Sequence, residues 1–272
     1  MEINCKDKAA QIKQEVKDRV AELVAQGHKA PRLTIIKVGE EFASERYVAG
    51  KVRDCKECGI EAKVVQYSES IDTARLCADV LYQQRNCDAI IVQLPLPKHI
   101  DQKEVLNHIL PSKDVDGLGE YSHFKPCTPL GVMCLLKEVC GLDLEDKNVL
   151  MIGRSKLVGM PLFTMLQKEN ANVTLCHSKT SYNNMSYIAD NADVIISAVG
   201  RENVLDPYDI KIGAYVIDVG INRNEDGKLC GDIRECDNYY KTPVPSGVGL
   251  MTRAMLLENV LMAYEMAANE KG

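Results

Sequence analysis

The order of apolar and polar positions along the chain predicts alternating helices and strands. Apolar residues recur at nearly helical spacing from Ala10 to Val24, and Gly27 follows the run. The mostly apolar run 33–38 instead predicts a buried strand. The same reasoning predicts helices over 43–58 and 71–85, and strands over 62–67 and 88–94. Such alternation is typical of a parallel sheet covered by helices.

A second alternating series follows a turn-rich segment at 111–129, which we expect to join two domains. The pair Thr128 and Pro129 predicts an N-cap and a helix that begins at about Leu130. Four strands are predicted at 148–152, 172–176, 193–197 and 215–219, and a last helix at 251–268. We therefore predict a two-domain α/β protein: residues 1–120 with the C-terminal helix at about 251–272 form one domain, and residues 121–250 form the other.

Composition and charge narrow the class of protein. Hydrophobic residues make up 46% of the chain and charged residues 26%, which is typical of a globular protein that needs no disulfide or metal to build its core. The net charge of -6 argues against a nucleic acid or an anionic membrane as partner. Cys55 and Cys58 form a lone C-x-x-C without a second pair, so we expect no metal site. The charged start of the chain and the absence of an apolar run of ~20 residues predict a cytoplasmic location.

A glycine-containing turn follows the strand at 148–152. Gly153 stands at the end of the strand and Gly159 near the start of the next helix, where backbone amides can approach a phosphate. The spacing differs from G-x-G-x-x-G, so a turn without a ligand is an alternative. The next strand ends at His177 and Ser178 rather than at the acidic residue typical of NAD sites, and this favours NADP over NAD.

Polar residues at three places in the first half of the chain are candidates for catalysis or ligand binding. Ser44, Tyr47 and Lys51 share one face of a predicted helix, so the tyrosine ring can stack on a planar ligand while the amine works at its edge. The alternative is a solvated lysine beside a packing tyrosine. Gln93 ends a buried strand, and Asp116 lies in the loop that precedes the second domain, where pockets commonly form.

Six motifs that occur in order give the chain its resemblance to a known family. They are Tyr47-Val48-x-x-Lys51, Gln93-Leu94-Pro95-Leu96-Pro97, Lys113-Asp114-Val115-Asp116-Gly117, Pro126-Cys127-Thr128-Pro129, Gly153-Arg154-Ser155-x-x-Val158-Gly159-x-Pro161 and Thr242-Pro243-Val244-Pro245-x-Gly247-Val248-Gly249-x-Met251-Thr252. This pattern resembles the methylenetetrahydrofolate dehydrogenase/methenyltetrahydrofolate cyclohydrolase family from about Ile35 to the C-terminal helix.

The resemblance implies an N-terminal α/β catalytic domain, a Rossmann-like NADP-binding domain, a folate cleft between them and usually a homodimer. It implies that Tyr47 stacks on the pterin, Lys51 is the central catalytic group, Gln93 supports Lys51, and Asp116 holds the polar edge of the pterin. The other implied folate contacts are Ser44, Leu94, Pro95, Pro245, Gly247, Val248 and Gly249. The implied cofactor contacts are Gly153, Arg154, Ser155, Val158, Gly159, Pro161, His177, Ser178, Gly200 and Ile221, with Arg154 and Ser178 on the 2'-phosphate.

The expected activity has two steps. The first oxidises 5,10-methylenetetrahydrofolate with NADP, and the second hydrolyses the methenyl product to 10-formyltetrahydrofolate, with Lys51 as the base if it is partly neutral near pH 7. The sequence departs from the family at the short stretch 118–125, and at Ser246 and Leu250, where relatives carry Gly and Pro. The alternative is therefore a dehydrogenase with weak or absent cyclohydrolase activity. A non-catalytic folate-binding regulator, and an NADP dehydrogenase of the amino-acid or shikimate type, agree less well with the first-half motifs.

Overall fold

The structure, a computed structural model, describes residues 1–40 and 42–269, without the side chains at 42–44 and 269. Two compact units divide the chain. Residues 10–127, with the chain from Arg253 onward, form what we call the three-stranded unit. Residues 1–9 and 128–252 form the five-stranded unit. Among the helices that the structure describes, none combines the length and apolar character needed to cross a lipid bilayer.

The three-stranded unit is built on β1 (Arg32–Val38), β2 (Glu61–Tyr67) and β3 (Ala89–Val92). The strands are parallel in the order β2-β1-β3, so β1 is central. Ile35 of β1 is in register with Val64 of β2 and with Ile91 of β3. Every residue of β3 is buried, which explains why its sequence is a continuous apolar run.

Helices cover this sheet. They are α1 (Cys5–Ala25), α2 (Phe42–Glu57), α3 (Thr73–Gln83), α4 (Gln102–Asn107) and α8 (Val248–Asn269), with a 3-10 turn at Gln84–Asn86. In sequence, α1 and α8 each continue across the boundary between the units. Asp72 caps α3 by accepting a hydrogen bond from the amide of Arg75 at 2.7 Å.

The five-stranded unit contains a parallel sheet in the order β10-β7-β6-β4-β5. Its strands are β4 (Asn148–Ile152), β5 (Asn172–Cys176), β6 (Val194–Ser197), β7 (Tyr215–Asp218) and β10 (Tyr240–Lys241). The helices are α5 (Cys127–Cys134), which runs into a π-helical turn at Leu135–Val139, then α6 (Gly159–Lys168) and α7 (Tyr182–Ala189). A 3-10 turn at Pro207–Asp209 and a small hairpin of β8 (Asn222–Arg223) and β9 (Leu229–Cys230) complete the unit.

Two α/β units with parallel sheets confirm the predicted fold class. The predicted start of a helix at about Leu130 was wrong, because α5 already begins at Cys127 and takes Thr128 and Pro129 into its first turn. The hairpin and the short edge strand β10 have only two residues per strand, too few for a periodic pattern. The predicted domain bounds and the predicted folate cleft stay predictions.

Candidate active site

A buried lysine and a carboxylate face each other in the three-stranded unit. Lys51 lies on α2 with its side chain 5% exposed, and its Nζ is 3.6 Å from Oδ2 of Asp116, whose side chain is 18% exposed. The distance is longer than a hydrogen bond, so the contact is an ion pair without direct donation. Because both groups are shielded from water, their attraction is stronger than that of a surface pair.

Tyr47 lies one turn before Lys51 on the same helix and is half-buried. Burial raises the pKa of its hydroxyl, the nearby Arg253 guanidinium lowers it, and the Asp116 carboxylate raises it. The net rise keeps the phenol neutral at neutral pH, so its ring presents no charge to a ligand. The structure thus brings Tyr47, Lys51 and Asp116 together, while the side chain of Ser44 lies outside the part that the structure describes.

An ionic network fixes the part of α2 that carries these groups. Asp54 is buried, forms an ion pair with Nε of Arg253 at 3.1 Å, and accepts a hydrogen bond from Nζ of Lys13 at 2.9 Å. A side chain at Gly50 would overlap the Arg253 guanidinium, so glycine allows that cation to lie against the helix. Sequence reasoning missed this network, although Arg253 interrupts the apolar pattern of α8 in a way that signals a specific partner.

Gln93 follows the end of β3 and has one unused acceptor. Its Nε2 donates to the carbonyl of Leu94 at 2.8 Å, while its Oε1 is buried without a hydrogen-bond partner among the described residues. The predicted support of Lys51 by Gln93 is therefore not present as a direct hydrogen bond in the described part of the chain. A free buried acceptor beside an exposed Pro95, which follows a cis peptide, is open to a donor from a ligand.

The two carboxylates of the loop between α4 and α5 have different surroundings. Asp116 faces Lys51, whereas Asp114 is 1% exposed and accepts from the amide of Gly119 at 2.7 Å through Oδ2. Its Oδ1 has no hydrogen-bond partner among the described residues, and burial raises the pKa of Asp114. Asp114 is thus an internal group of the loop, and Asp116 is the one placed for chemistry.

In the five-stranded unit, the turn between β4 and α6 is closely packed. Gly153 has φ +112, and a Cβ there would lie 2.6 Å from the carbonyl oxygen of Ala198. A Cβ at Gly159 would overlap the carbonyl oxygen of Gly153, so both positions require glycine. The hydroxyl of Ser155 accepts from the amides of Val158 and Gly159 at 3.1 and 3.3 Å and so caps the start of α6, where Pro161 lies in the first turn.

The residues after β5 supply a donor set suited to a phosphate. Nδ1 of His177 accepts from the amide of Lys179 at 3.2 Å, which holds the turn. The side chains of Arg154, Ser178 and Lys179 are exposed. A cation and a hydroxyl without a carboxylate at this position fit the 2'-phosphate of NADP.

A buried carboxylate organises the loop after β6, and sequence reasoning missed it. Asp232 is completely buried and accepts from the amides of Val199, Gly200 and Arg201 at 2.8, 3.3 and 3.0 Å. It also accepts from the hydroxyl of Ser197 at 2.8 Å. Gly200 is therefore part of a loop that is held in one conformation by a single side chain.

A second carboxylate supports the first. Asp218, at the end of β7, accepts from the amides of Asp232 and Ile233, both at 3.0 Å, and pairs with Lys241 at 3.1 Å. Burial raises the pKa of Asp218 and the Lys241 ammonium lowers it, with a net rise. The position of Asp218 at a strand end is visible in the sequence, but its partners come from sequence-distant segments.

The predicted folate contacts at 245–249 lie in the five-stranded unit. Pro245 is exposed after a cis peptide, and Ser246 has φ +80. Gly247 and Val248 are buried at the start of α8, and Gly249 is half-buried. Ile221, an implied cofactor contact, is 51% exposed. The described part of the chain contains no cluster of three or more histidine, cysteine or acidic side chains placed to hold a metal ion.

Comparison with known proteins identifies both units. Residues 3–116 match the model of the tetrahydrofolate dehydrogenase/cyclohydrolase catalytic domain, and residues 126–268 match that family's NAD(P)-binding domain. The bifunctional protein FolD of Bacillus thuringiensis (strain Al Hakam) is 45% identical over 276 residues, covering 96% of this chain and 93% of that protein.

Solved structures agree. The bifunctional enzyme FolD of Campylobacter jejuni, a methylenetetrahydrofolate dehydrogenase/cyclohydrolase, is 41% identical with a TM-score of 0.90, covering 98% of this chain and 99% of that chain. The Trypanosoma brucei methylenetetrahydrofolate dehydrogenase-cyclohydrolase, solved with NADP cofactor and an inhibitor, is 32% identical with a TM-score of 0.91, covering 98% of each chain.

Proposed function

The chain belongs to the tetrahydrofolate dehydrogenase/cyclohydrolase family, and on that premise we propose that it is a bifunctional enzyme of one-carbon metabolism. It oxidises 5,10-methylenetetrahydrofolate to the methenyl form with NADP, and then hydrolyses that product to 10-formyltetrahydrofolate. The observation that carries this proposal is the buried pair of Lys51 and Asp116 beside Tyr47. A shielded amine, a carboxylate and a neutral aromatic ring suit a flat, polar-edged substrate whose cationic product must be hydrated.

In the first step, NADP supplies the acceptor for the hydride that leaves the methylene carbon. Arg154 and Ser178 hold its 2'-phosphate, while the close packing of Gly153 and Gly159 lets the chain approach the dinucleotide. Tyr47 packs its ring on the pterin. The main contribution of the protein to hydride transfer is to hold the two reactants in position.

In the second step, water adds to the methenyl carbon, the bond from that carbon to N5 breaks, and the remaining hydroxyl proton passes to N5, which leaves the formyl group on N10. Lys51 acts as the general base that takes the proton of the attacking water. Asp116 holds the polar edge of the pterin and keeps the amine in place. The unused Oε1 of Gln93 is available to accept from substrate or from the Lys51 amine once folate is bound.

Two observations favour the bifunctional activity over a dehydrogenase alone. The Bacillus thuringiensis and Campylobacter jejuni relatives both carry bifunctional names. Hydride transfer needs no base at the folate, whereas the chain keeps a buried lysine paired with a carboxylate. The short stretch 118–125 leaves that pair in contact.

Two initial rates on the purified protein test the proposal. One is NADP reduction with 5,10-methylenetetrahydrofolate, and the other is the loss of methenyltetrahydrofolate absorbance without nucleotide. Both rates above the uncatalysed background are expected. A protein that performs only the first reaction is a monofunctional dehydrogenase, and one that performs neither overturns the proposal. Repeating the first rate with NAD tests the cofactor preference.

We also propose a homodimer in the cytoplasm. All eleven cysteines are free thiols, which agrees with a reducing compartment. Strand β2 is an edge strand with an exposed Val64, and Leu81 and Tyr82 of α3 are exposed as well. An open strand edge with apolar side chains is a template for pairing with a second copy. Light scattering during gel filtration tests this: a monomer at micromolar concentration would refute it.

A further inference from the structure

We infer that Asn259 of α8 is a positioning residue that holds the Asp116 carboxylate in place, an inference that rests on the proposed folate function. Asn259 is 4% exposed, although its neighbour Glu258 is also polar. Its Nδ2 donates to the carbonyl of Val115 at 2.8 Å and to the carbonyl of Lys125 at 3.3 Å. One amide group therefore links the residue before Asp116 to a segment ten positions further along the chain.

The segment around Gly117 packs directly against the backbone of Lys125. Gly117 has φ +69, and a Cβ there would lie 2.5 Å from the carbonyl carbon of Lys125. Val115 and Cys127 are both buried, and the thiol of Cys127 donates to the same Val115 carbonyl at 3.2 Å. Because water does not reach these groups, no solvent molecule replaces the Asn259 donor when it is removed.

The consequence falls on Asp116, which stands between Val115 and Gly117. Its carboxylate is near the Cys127 thiol, since the pKa of that thiol is raised well above its usual value, first by burial and then by the Asp116 charge. The same carboxylate lies 3.6 Å from Lys51. A shift of the Val115 carbonyl thus moves Asp116 relative to both the lysine and the substrate.

The position of Asn259 explains why a helix far along the sequence matters for this site. The catalytic loop supplies Asp116, while the donor that fixes the loop arrives from a residue 144 positions from Val115. Cys127 holds the Val115 carbonyl from one side, and Asn259 bridges this carbonyl to that of Lys125 and approaches the Cys127 sulfur at 3.6 Å. A substitution that removes the Asn259 amide does not change the sequence of the Asp116 loop, but it removes a restraint on the conformation of that loop.

The test is a double-mutant cycle of Asn259→Leu and Asp116→Asn. Asn259→Leu removes both donors and keeps the same number of side-chain heavy atoms, and we expect it to raise the KM for folate substrate about tenfold while the KM for NADP stays unchanged. If Asn259 acts through Asp116, the double variant has the folate KM of Asp116→Asn alone. If the double variant instead shows the product of the two single fold-changes in folate KM, the substitutions act independently and the inference is overturned.

Tyr264→Phe is the matched control. It removes a hydrogen bond from the same helix to the backbone carbonyl of Lys29, at 2.6 Å, away from the Asp116 loop. It should leave the folate KM unchanged, and an equal rise in Tyr264→Phe would mean that any loosening of α8 has the same effect. Asn259→Ser, whose smaller side chain avoids overlap with the buried neighbours and keeps one hydroxyl donor, replaces Asn259→Leu in the cycle if the leucine variant does not fold.

Calorimetric titration with folic acid separates the inference from the proposed function. If the wild type lacks both activities, the proposed function fails, and the cycle is then read from the dissociation constants for folic acid. If the wild type is active and the cycle is additive, only the inference fails. A wild type that neither reacts nor binds folic acid overturns both.

Discussion

The Nζ of Lys51 lies 3.6 Å from the Oδ2 of Asp116, and both side chains are largely withdrawn from water. The pair has no net charge, because the Asp116 carboxylate balances the charge of the buried Lys51 ammonium. A ligand that approaches the carboxylate also meets the amine. In the proposed mechanism, the pair places the carboxylate that binds the polar edge of the ring next to the amine that takes a proton.

Lys51→Met is expected to lower the cyclohydrolase rate about 100-fold or more, because it removes the base that takes the proton of the attacking water. The dehydrogenase rate should fall less, since hydride transfer depends on position rather than on a proton acceptor. The two rates measured on one preparation give the ratio directly.

The control for this variant is Lys37→Met, which removes another buried lysine of the same unit, paired with Glu45 at 3.0 Å. It should change both rates equally or leave them unchanged. Full cyclohydrolase activity in Lys51→Met would show that this lysine is not the base.

Asp114→Asn is expected to gain stability relative to the wild type as pH rises above about 4, the usual aspartate pKa. The folded-state pKa of Asp114 is raised by burial, so the folded protein binds this proton more tightly than the unfolded chain. Its contribution is fully present below the unfolded pKa and is lost as pH rises through the folded pKa. Asparagine has no such proton.

Urea unfolding of both proteins between pH 4 and pH 7 measures this difference. The exposed Asp237→Asn serves as the control for loss of one negative charge. A stability difference between Asp114→Asn and the wild type that stays flat, or shrinks with rising pH, contradicts the expected sign.

Gly159→Ala is expected to weaken NADP binding about tenfold or more, because the new Cβ overlaps the carbonyl oxygen of Gly153 and displaces the start of α6. Folic acid binding should be unchanged. Gly213→Ala is the control, since Gly213 lies in the same unit at φ +81 with open space around its Cβ position. Equal loss of NADP affinity in both variants would exclude the packing explanation.

Ser246→Gly is expected to stabilise the protein by about 0.5–1 kcal/mol, because Ser246 has φ +80, a conformation that costs a residue with a Cβ more than it costs glycine. For a chain of this length the melting temperature should rise by about 1–2 °C. Ser246→Ala retains the Cβ and should give no gain. A lower melting temperature for Ser246→Gly would show that the hydroxyl makes a compensating contact.

The sequence predicted the elements whose side chains repeat along one face or form one apolar run. Strands β4 and β5 have the predicted bounds, and α2 differs from its predicted bounds by one residue at each end, since burial there follows directly from the local pattern. Tyr47 and Lys51 were placed on one helix face by their spacing alone. Asp116 was a candidate because of its place in the loop before the second domain, but its role came only from the family resemblance, because a loop carries no periodic signal.

The sequence did not reveal the groups that hold these residues in place. Asp54 with Arg253, and Val115 with Asn259, are pairs about 200 and 144 positions apart, and no local pattern indicates which partner a buried polar side chain chooses. The different surroundings of Asp114 and Asp116 are similarly set by the path of the loop. What a single sequence conveys well is the type of each group, and what it conveys poorly is the geometry that tertiary contacts impose.

The two buried aspartates of the five-stranded unit also limit how the sequence can drift. A side chain at Gly220 would overlap the Asp232 carboxylate, and a side chain at Gly231 would overlap that of Asp218, while the amide of Asp232 donates to Asp218. Each glycine leaves the space that one carboxylate fills, and each carboxylate supports the other's segment. A substitution at one of the four positions therefore removes the packing constraint on the other three. We expect these residues to be kept or replaced as a set across descendants of this chain.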